Sequence, residues 1–297
     1  MLEYKNMTYQ EVEKLDREKT IFLMSLSPLE THGEHLPLGT DLIVSEKLLE
    51  KYNEKLNIKY PDYKIIKLPS LALGASLLPV DGSIEIKSRN LEKLLYDFCI
   101  NLNKLGFKFL ILADNHGGPA HQMAVESAVY KARKKLGFKL VDPFNYFFKL
   151  MIKKDQKLLD KLNSKEGEIG DDKDLHAGNN ETSLMLYLSS ENVKEKFYTL
   201  DESKVLKYNG VAKLLKTVSK IFDSESLKHL AVNLAWINDE NMKPYLGNPS
   251  KANKTRGQEM VEARIAIEME YIEKIINNKN FNEKPLLWKL RFLRYFF

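Results

Sequence analysis

The sequence contains almost no cysteine and no long apolar run. Cys99 is the one cysteine among 297 residues, so no disulfide bond can form within the chain and no thiolate cluster can hold zinc. No apolar stretch approaches the roughly 18 residues that a membrane-spanning helix needs. Residues 1–20 are charged and lack the apolar segment of a signal peptide. These absences predict a soluble protein of the reducing cytoplasm that is not inserted in a membrane.

The sequence also lacks a marked excess of charge of either sign. Its 46 basic and 41 acidic residues leave a net charge of +5 and are interspersed along the chain, so a nucleic-acid partner is not expected. With 43% hydrophobic and 29% charged residues, the composition is typical of a globular protein with a sizeable core. The length favours one large α/β domain.

Short apolar segments alternate with segments of helical periodicity in the first half of the chain. Strands separated by helices imply right-handed crossovers, so the predicted fold is α/β with a mainly parallel sheet covered by helices on both sides. Ligands of such folds bind beyond the carboxyl ends of the strands. We predict strands over residues 21–26, 64–68, 107–113 and 139–142, and helices over residues 43–56, 91–105 and 119–135.

The second half of the chain is less regular. It predicts helices over residues 181–188, 203–222 and 251–277, and a helix followed by a surface loop over residues 151–175. We assign residues 1–280 to one domain and residues 281–297 to a basic, aromatic extension. The extension is predicted to be helical because the leucines within it recur at spacings of three and four. We expect the extension to pack on its own domain or on a neighbouring subunit, and a membrane-surface anchor is the alternative.

Five of the six histidines fall in three short windows of the sequence. The first window offers Glu30, His32 and Asp41 on a loop that follows the first predicted strand. Carboxylate and imidazole groups suit Zn²⁺, Mn²⁺ or Fe²⁺, and the two oxygens of one carboxylate can bridge a pair of ions. This window is therefore a candidate metal site.

The other two windows add ligands of the same kinds. His116 follows the end of a predicted strand and precedes Gly117 and Gly118, which let the backbone approach a bound ion or substrate. The third window contributes His176 and Glu181. The three windows together can supply two ions with three ligands each and leave positions open for water.

Each window by itself has an ordinary structural explanation. A loop histidine is usually a surface or hydrogen-bonding residue, and Asp41 could simply cap the helix that follows it. The convergence of all three windows on one predicted sheet favours a metal site. Of the remaining candidates, we expect His35 and His121 to support the site or the fold, and His229 and Cys99 to pack in the core.

These windows resemble the signature motifs of the creatininase family of metal-dependent hydrolases. Residues 30–41 are similar to the family pattern E-x-H-G-x-H-L-P-x-x-T-D, and residues 176–183 to H-A-G-x-x-E-T-S. The loop around His116 resembles N-G-H-G-G-N, and residues 247–257 resemble G-D-P-x-x-A-x-x-x-x-G. The order and spacing of the four motifs agree, so the resemblance spans roughly residues 15–275.

The resemblance implies a three-layer α/β/α sandwich with two divalent metal ions, Zn, Mn or Fe, in a homo-oligomer that is often a hexamer. It also assigns roles to individual positions. The ligands of one ion would be Glu30, Asp41 and His116. The ligands of the other ion would be His32, Glu181 and the shared Asp41. His176 would be the catalytic histidine, and the substrate side would include Ser76, Gly117 and Gly118.

The sequence departs from the family pattern beside the predicted ligands. Asn115 stands where the family has glycine, Pro119 where it has asparagine, and Glu34 where proline is usual. Residues 77–82 lack the usual Glu-His pair, so the substrate loop differs and creatinine itself is not implied.

The function that follows is hydrolysis of a C–N bond in a small amide, lactam or formamide. The hypothesis is that a hydroxide bridging the two ions attacks the carbonyl carbon and that His176 carries the proton to the departing nitrogen. One alternative is a deformylase of formylamino-pyrimidine nucleotides. Another is a non-catalytic oligomeric scaffold that keeps the metal for structure.

Overall fold

The computed structural model describes residues 1–162 and 173–278, and within these ranges the chain forms one five-stranded sheet. The strands lie in the order β1-β3-β2-β4-β5, and all neighbours are parallel. The predicted mainly parallel sheet is confirmed. The strands are β1 (Leu2–Glu3), β2 (Thr20–Ser25), β3 (Lys64–Lys67), β4 (Phe109–Ala113) and β5 (Lys139–Val141).

Ten α-helices in the described ranges cover the sheet. None of them is both long enough and apolar enough to cross a bilayer. The helices are α1 (Tyr9–Glu13), α2 (Thr40–Lys59), α3 (Ser88–Lys104), α4 (Pro119–Lys131), α5 (Pro143–Ile152), α6 (Gln156–Lys161), α7 (Asn179–Leu188), α8 (Gly210–Ile221), α9 (Glu225–Ile237) and α10 (Lys254–Ile276).

The sheet, with β2 at its centre, separates the hydrophobic core into two layers. Every residue of β2 and of β4 is buried, as expected of parallel strands that are covered on both faces. Successive side chains of a strand point to opposite faces, so Ile21 and Leu23 join the core of α2, α5, α7 and α10. Phe22 and Met24 pack instead with α3 and α4. The predicted three-layer α/β/α sandwich is confirmed.

The second half of the domain differs from the sequence prediction. The helix predicted over residues 203–222 begins only at Gly210, because Ser203 pairs with Gly247 in an isolated antiparallel bridge. Helices α5 and α9 were not predicted. In the region predicted as a helix and loop, α6 is the helix, and residues 163–172 lie outside the described residues. So does the predicted extension, residues 281–297.

The carboxyl edge of the sheet is where the chain places its polar residues. The segment after β2 runs across this edge to α2, and the segment after β4 runs across it to α4. The two segments are tied together, since Ser27 Oγ donates to Asp114 Oδ1 at 2.9 Å and accepts from the backbone N–H of Asn115 at 3.1 Å. A hairpin of α8 and α9 contributes side chains to the cleft that opens at this edge.

Candidate active site

The five predicted metal ligands come from four separate segments and meet at the carboxyl edge of the sheet. Glu30 and His32 lie on the loop after β2, and Asp41 lies in the first turn of α2. His116 follows β4, and Glu181 lies in the first turn of α7. All but Glu181 are at most 4% exposed. Parallel strands direct their carboxyl ends to one edge, and this is why segments so distant in sequence converge.

Two groups of side chains share Asp41. In the first, His116 Nδ1 lies 3.2 Å from Glu30 Oε2 and 3.3 Å from Asp41 Oδ2. In the second, His32 Nε2 lies 3.6 Å from Asp41 Oδ1 and 3.8 Å from Glu181 Oε2. In each group the candidate ligand atoms lie within 4.8 Å of one another. Asp41 is common to the two groups, and one of its oxygens lies on the side of each imidazole.

Backbone carbonyls orient the imidazoles of His32 and His116. In each ring, one nitrogen faces a carbonyl oxygen and the other nitrogen faces the carboxylates. His116 Nε2 lies 3.1 Å from the carbonyl oxygen of Ala75, and His32 Nδ1 lies 3.0 Å from that of Glu30. A carbonyl only accepts, so these nitrogens carry the proton and donate. The opposite nitrogens then face carboxylate oxygens. Metal-binding histidines in proteins are oriented in the same way.

Three buried atoms of the two groups make no hydrogen bond of acceptable geometry to any described residue. They are Glu30 Oε2, His32 Nε2 and Asp41 Oδ2. Buried polar atoms are hydrogen-bonded in the great majority of cases, so three unsatisfied atoms in one cluster require an explanation. Lone pairs that face one another are stabilised by a cation between them. The donor set of carboxylates and imidazoles therefore fits divalent metal ions.

The electrostatics of the cluster indicate the same need for positive charge. Burial lowers the pKa of His32, but Asp41 and Glu181 outweigh burial and raise it to about 10. Burial would raise the pKa of Asp41, yet the neighbouring imidazoles hold it well below its usual value. Burial raises the pKa of Glu181 to about 7. Without an ion, a second proton on the imidazole lone pair offsets the buried negative charge, and a bound divalent cation would displace that proton.

His176 lies beside the second group. Its Nε2 donates to the carbonyl oxygen of Thr31 at 2.8 Å, and its Nδ1 lies 4.0 Å from Glu181 Oε2. Burial, followed by the charge of His32, lowers the pKa of His176 to about 4. The imidazole is therefore neutral near pH 7 and can accept a proton at Nδ1. Glu30, His32 and His176 also form a third group within 4.8 Å, so His176 is a further candidate ligand by geometry.

The three predicted substrate-side residues line the cleft next to this cluster. Ser76 has a φ of 64°. A Cβ atom at position 118 would lie 2.3 Å from His116 Nε2 and 2.6 Å from the carbonyl oxygen of Ser76. Only glycine at position 118 therefore lets the loop after β4 approach Ser76 so closely.

Helix α9 supplies a wall of the cleft that the sequence did not predict. His229, Asn233, Trp236 and Ile237 recur at helical spacing and all line the cleft, which holds about 510 Å³ of open space including solvent at its mouth. His229 is buried, as predicted, but it faces the cleft, and its Nε2 accepts from Asn233 Nδ2 at 3.2 Å. The spacing was the available signal, and it also fits a core helix.

The remaining candidates lie outside the metal groups. His35 Nε2 is bonded to Thr182 Oγ1 at 2.9 Å, and His121 Nε2 to Asp114 Oδ2 at 3.1 Å, so both support neighbouring segments as expected. Asp41 is not a helix cap, because α2 has no side-chain cap and Gly39 occupies that position. Cys99 is buried in the core, and burial raises its pKa to about 12, which excludes a thiolate nucleophile near pH 7.

Comparisons with known proteins agree with this fold. A solved structure named Creatininase Mn aligns with 93% of this chain and 98% of its own, at 16% identity and a TM-score of 0.64. A structure of a creatinine amidohydrolase (creatininase) aligns with 93% of this chain and 98% of its own, at 17% identity and a TM-score of 0.65. A mutant creatininase of Zn-Zn type aligns with 92% of this chain and 98% of its own, at 16% identity and a TM-score of 0.63. A search of curated protein sequences found no match. The family model described as Creatininase, creatinine amidohydrolase, matches residues 5–272, and the chain therefore belongs to the creatininase family.

Proposed function

We propose that this protein is a hydrolase that uses two divalent metal ions to split a C–N bond in a small, uncharged amide, lactam or formamide. The observation that carries the proposal is the position of Asp41 between two groups of buried ligands, each with an unsatisfied atom. Membership of the creatininase family supports the same reaction class.

The ligand sets follow from the two groups. Glu30, Asp41 and His116 would hold one ion, and His32, Asp41 and Glu181 would hold the other. Imidazole and carboxylate ligands suit Zn²⁺, Mn²⁺ or Fe²⁺, and solved family structures are named for Mn and for Zn-Zn forms. Divalent ions, when bound, lower the pKa of water toward neutrality and polarise a carbonyl oxygen.

His176 would move the proton that the reaction transfers. Its backbone bond to Thr31 fixes the ring, and its unprotonated Nδ1 faces the side of Glu181. Because the imidazole is neutral near pH 7, it can take a proton from the attacking water and return it to the nitrogen that leaves. A fixed base of this kind contributes about 10²- to 10⁴-fold to a rate.

The lining of the cleft favours an uncharged substrate. Apolar side chains such as Leu77, Leu78 and Trp236 make up much of the lining, and His229 and Asn233 add polar groups. Among the described residues that line the cleft, none is lysine or arginine. A nucleotide needs cationic or amide donors for its phosphate, so a deformylase of formylamino-pyrimidine nucleotides is the second choice.

A non-catalytic scaffold fits the site less well. A purely structural metal site is closed by protein ligands and needs no open position. Here the two groups open onto a cleft, and His176 stands at the edge of the second group without being required to complete it. These features support catalysis over a structural role.

Metal analysis and an amide screen test the proposal together. Purified protein should contain two divalent ions per chain, lose activity after chelation and regain it with Mn²⁺ or Zn²⁺. We expect turnover of at least one compact amide, lactam or formamide. Two ions without turnover of any amide would favour the scaffold, and turnover of a phosphate-bearing formamide alone would favour the nucleotide deformylase.

The outer face of α8 supports self-association of the chain. The side chains that α8 buries are small, Ala212 and Ser219, whereas its apolar stripe faces outward. An exposed apolar stripe of this kind marks an interaction surface, and we propose that a second copy of the chain covers it. Light scattering should give a mass above that of one chain, and Leu214→Asp should lower it. The stripe comprises Val211, Leu214, Ile221 and Phe222, each more than 60% exposed.

The cytoplasmic location remains a prediction from the sequence. It follows from the single buried cysteine and the absence of disulfide bonds that this implies. Cell fractionation with an antibody against the purified protein would test it directly.

A further inference from the structure

A buried arginine and a buried asparagine form a chain of hydrogen bonds that ends on Asp41. Arg264 of α10 donates from Nη1 to Asn115 Oδ1 at 2.6 Å. Asn115 in turn donates from Nδ2 to Asp41 Oδ1 at 2.8 Å. The three side chains are 2%, 6% and 1% exposed. Positions 41, 115 and 264 are far apart in sequence, so only the fold brings them into line.

The orientation of the Asn115 amide is fixed by its two neighbours. A guanidinium only donates and an ionised carboxylate only accepts, so the amide oxygen must face Arg264 and the amide nitrogen must face Asp41. The reverse orientation would place two donors together and two acceptors together. Among the described residues, Asn115 supplies the one hydrogen bond of good geometry that the Asp41 side chain accepts.

The bond leaves Asp41 with a defined orientation between the two candidate metal groups. Its Oδ1 lies on the side of His32, and its Oδ2 lies 3.3 Å from His116. Rotation of the carboxylate would break the bond to Asn115 and would remove one oxygen from each group. A bridging carboxylate needs both oxygens in place, and hydrogen-bonded neighbours orient such ligands.

Arg264 is itself held from several sides. Its Nε donates to Glu268 Oε1 at 2.9 Å, its Nη2 donates to the carbonyl oxygen of Asp114 at 2.5 Å, and its guanidinium lies 4.7 Å from the centre of the Phe144 ring. Glu268 also accepts from the hydroxyl of Tyr52 at 2.5 Å. The planar fork of arginine can make these bonds at once, so α10 provides a rigid base for Asn115.

We propose that Arg264 and Asn115 are positioning residues that orient Asp41 as the bridge between the two metal groups. The inference rests on the proposed two-metal function. Asn115 is also one of the positions at which this sequence departs from the family pattern, so the arrangement belongs to this chain's own residues.

Metal affinity tests the proposal without any substrate. Asn115→Leu should weaken Mn²⁺ binding to the chelator-treated protein about 10- to 100-fold, the range typical when a neighbour that orients a metal ligand is removed. Calorimetric titration with Mn²⁺ alone gives the affinity and the number of ions. The control is Asn101→Leu, which makes the same change on the exposed face of α3, where Asn101 Nδ2 donates to the carbonyl oxygen of Asp97 at 2.9 Å, and it should leave Mn²⁺ affinity within about twofold of wild type.

A second variant covers the case in which Asn115→Leu does not fold. Arg264→Lys keeps the positive charge opposite Glu268 but lacks the planar fork, so it should weaken Mn²⁺ binding in the same direction. The double variant Asn115→Leu/Arg264→Lys should be no weaker than the worse single variant, because the two residues act in series. Wild-type affinity in both single variants, or an equal loss in the Asn101→Leu control, would overturn the positioning role.

The two proposals fail in different ways. Wild-type protein that does not take up two ions would contradict the proposed function, whatever the variants do. Wild-type protein with two ions, together with variants that bind Mn²⁺ as tightly, would contradict only the role of Arg264 and Asn115.

Discussion

The two walls of the cleft are built on different principles. One wall consists of strand-end loops and the first turns of α2 and α7, and it carries buried carboxylates and imidazoles that backbone carbonyls hold in place. The other wall is α9, which presents polar, aromatic and aliphatic side chains. Its partner α8 exposes an apolar stripe on the outside of the hairpin.

We expect the first wall to determine the rate of the chemical step and the α9 wall to determine which substrate binds. We call the wall of carboxylates and imidazoles the metal wall. It is fixed to the sheet because it is assembled from four segments, and three of its buried atoms have no hydrogen-bond partner among the described residues. The α9 wall meets no such demand, so its side chains can change without loss of the metal groups. We therefore expect variants of the metal wall to alter the rate of the chemical step and variants of α9 to alter substrate affinity.

The largest expected effect is on the metal wall. His176→Ala should reduce kcat by about 10²- to 10⁴-fold because it removes the proton carrier. The number of bound ions should stay at two, since each group retains three other ligands. Steady-state kinetics and metal analysis of the same preparation provide the check. Full turnover would contradict the proton-transfer role, and loss of an ion would make His176 a ligand instead.

A smaller effect concerns the stability of the metal wall at low pH. Burial, followed by the charge of His32, lowers the pKa of His35 to about 4, against about 6.5 when the chain is unfolded. Between these pH values the unfolded chain binds a proton and the folded chain does not, so stability falls as the pH falls from about 6.5 to about 4.

Comparison with His35→Gln isolates this contribution to stability. Glutamine does not titrate and keeps a polar group near Thr182. From pH 7 to pH 4, wild type should lose between about 1 and 3 kcal/mol more unfolding free energy than the variant. Urea unfolding of the metal-free proteins at both pH values measures the difference. An equal pH dependence in the two proteins would show that His35 is not kept neutral by its burial.

The smallest expected effect is on the α9 wall. Asn233→Leu should raise KM about tenfold and change kcat little, because it removes a polar side chain from the lining of the cleft and leaves the metal groups intact. Asn238→Leu makes the same change at the end of the same helix, where the residue is exposed, and serves as the control. A fall in kcat without a change in KM would place Asn233 in the chemical step and end the division between the walls.

The sequence predicted the sheet better than it predicted the hairpin. Strands β2 and β4 are uninterrupted apolar segments whose positions agree with the predictions to within two residues. Helix α8 was predicted to begin seven residues too early, because the bridge between Ser203 and Gly247 interrupts an otherwise helical pattern. Helix α9 was missed because its residues at helical spacing also fit an ordinary core segment.

In the candidate site, too, some residues could be predicted from the sequence and others could not. Glu30, His32, Asp41, His116 and Glu181 could be selected from the sequence, because ligand types recur in short windows that follow predicted strands or begin predicted helices. Asp114 and Arg264 gave no such signal. A buried arginine on a helix has the same sequence pattern as a surface arginine until the fold shows that Asn115 and Asp41 lie beside it.

By itself the sequence determined the parallel sheet, the family and the chemical types of the candidate ligands, since these depend on local periodicity and on short motifs. Tertiary structure alone decided which oxygen of Asp41 faces which imidazole, which helix closes the cleft and which residues orient the bridge. Those features depend on contacts between segments that are far apart in the sequence. Asp41 and Arg264, for example, are more than 200 residues apart and are linked through Asn115. Local sequence patterns carry no information about such distances.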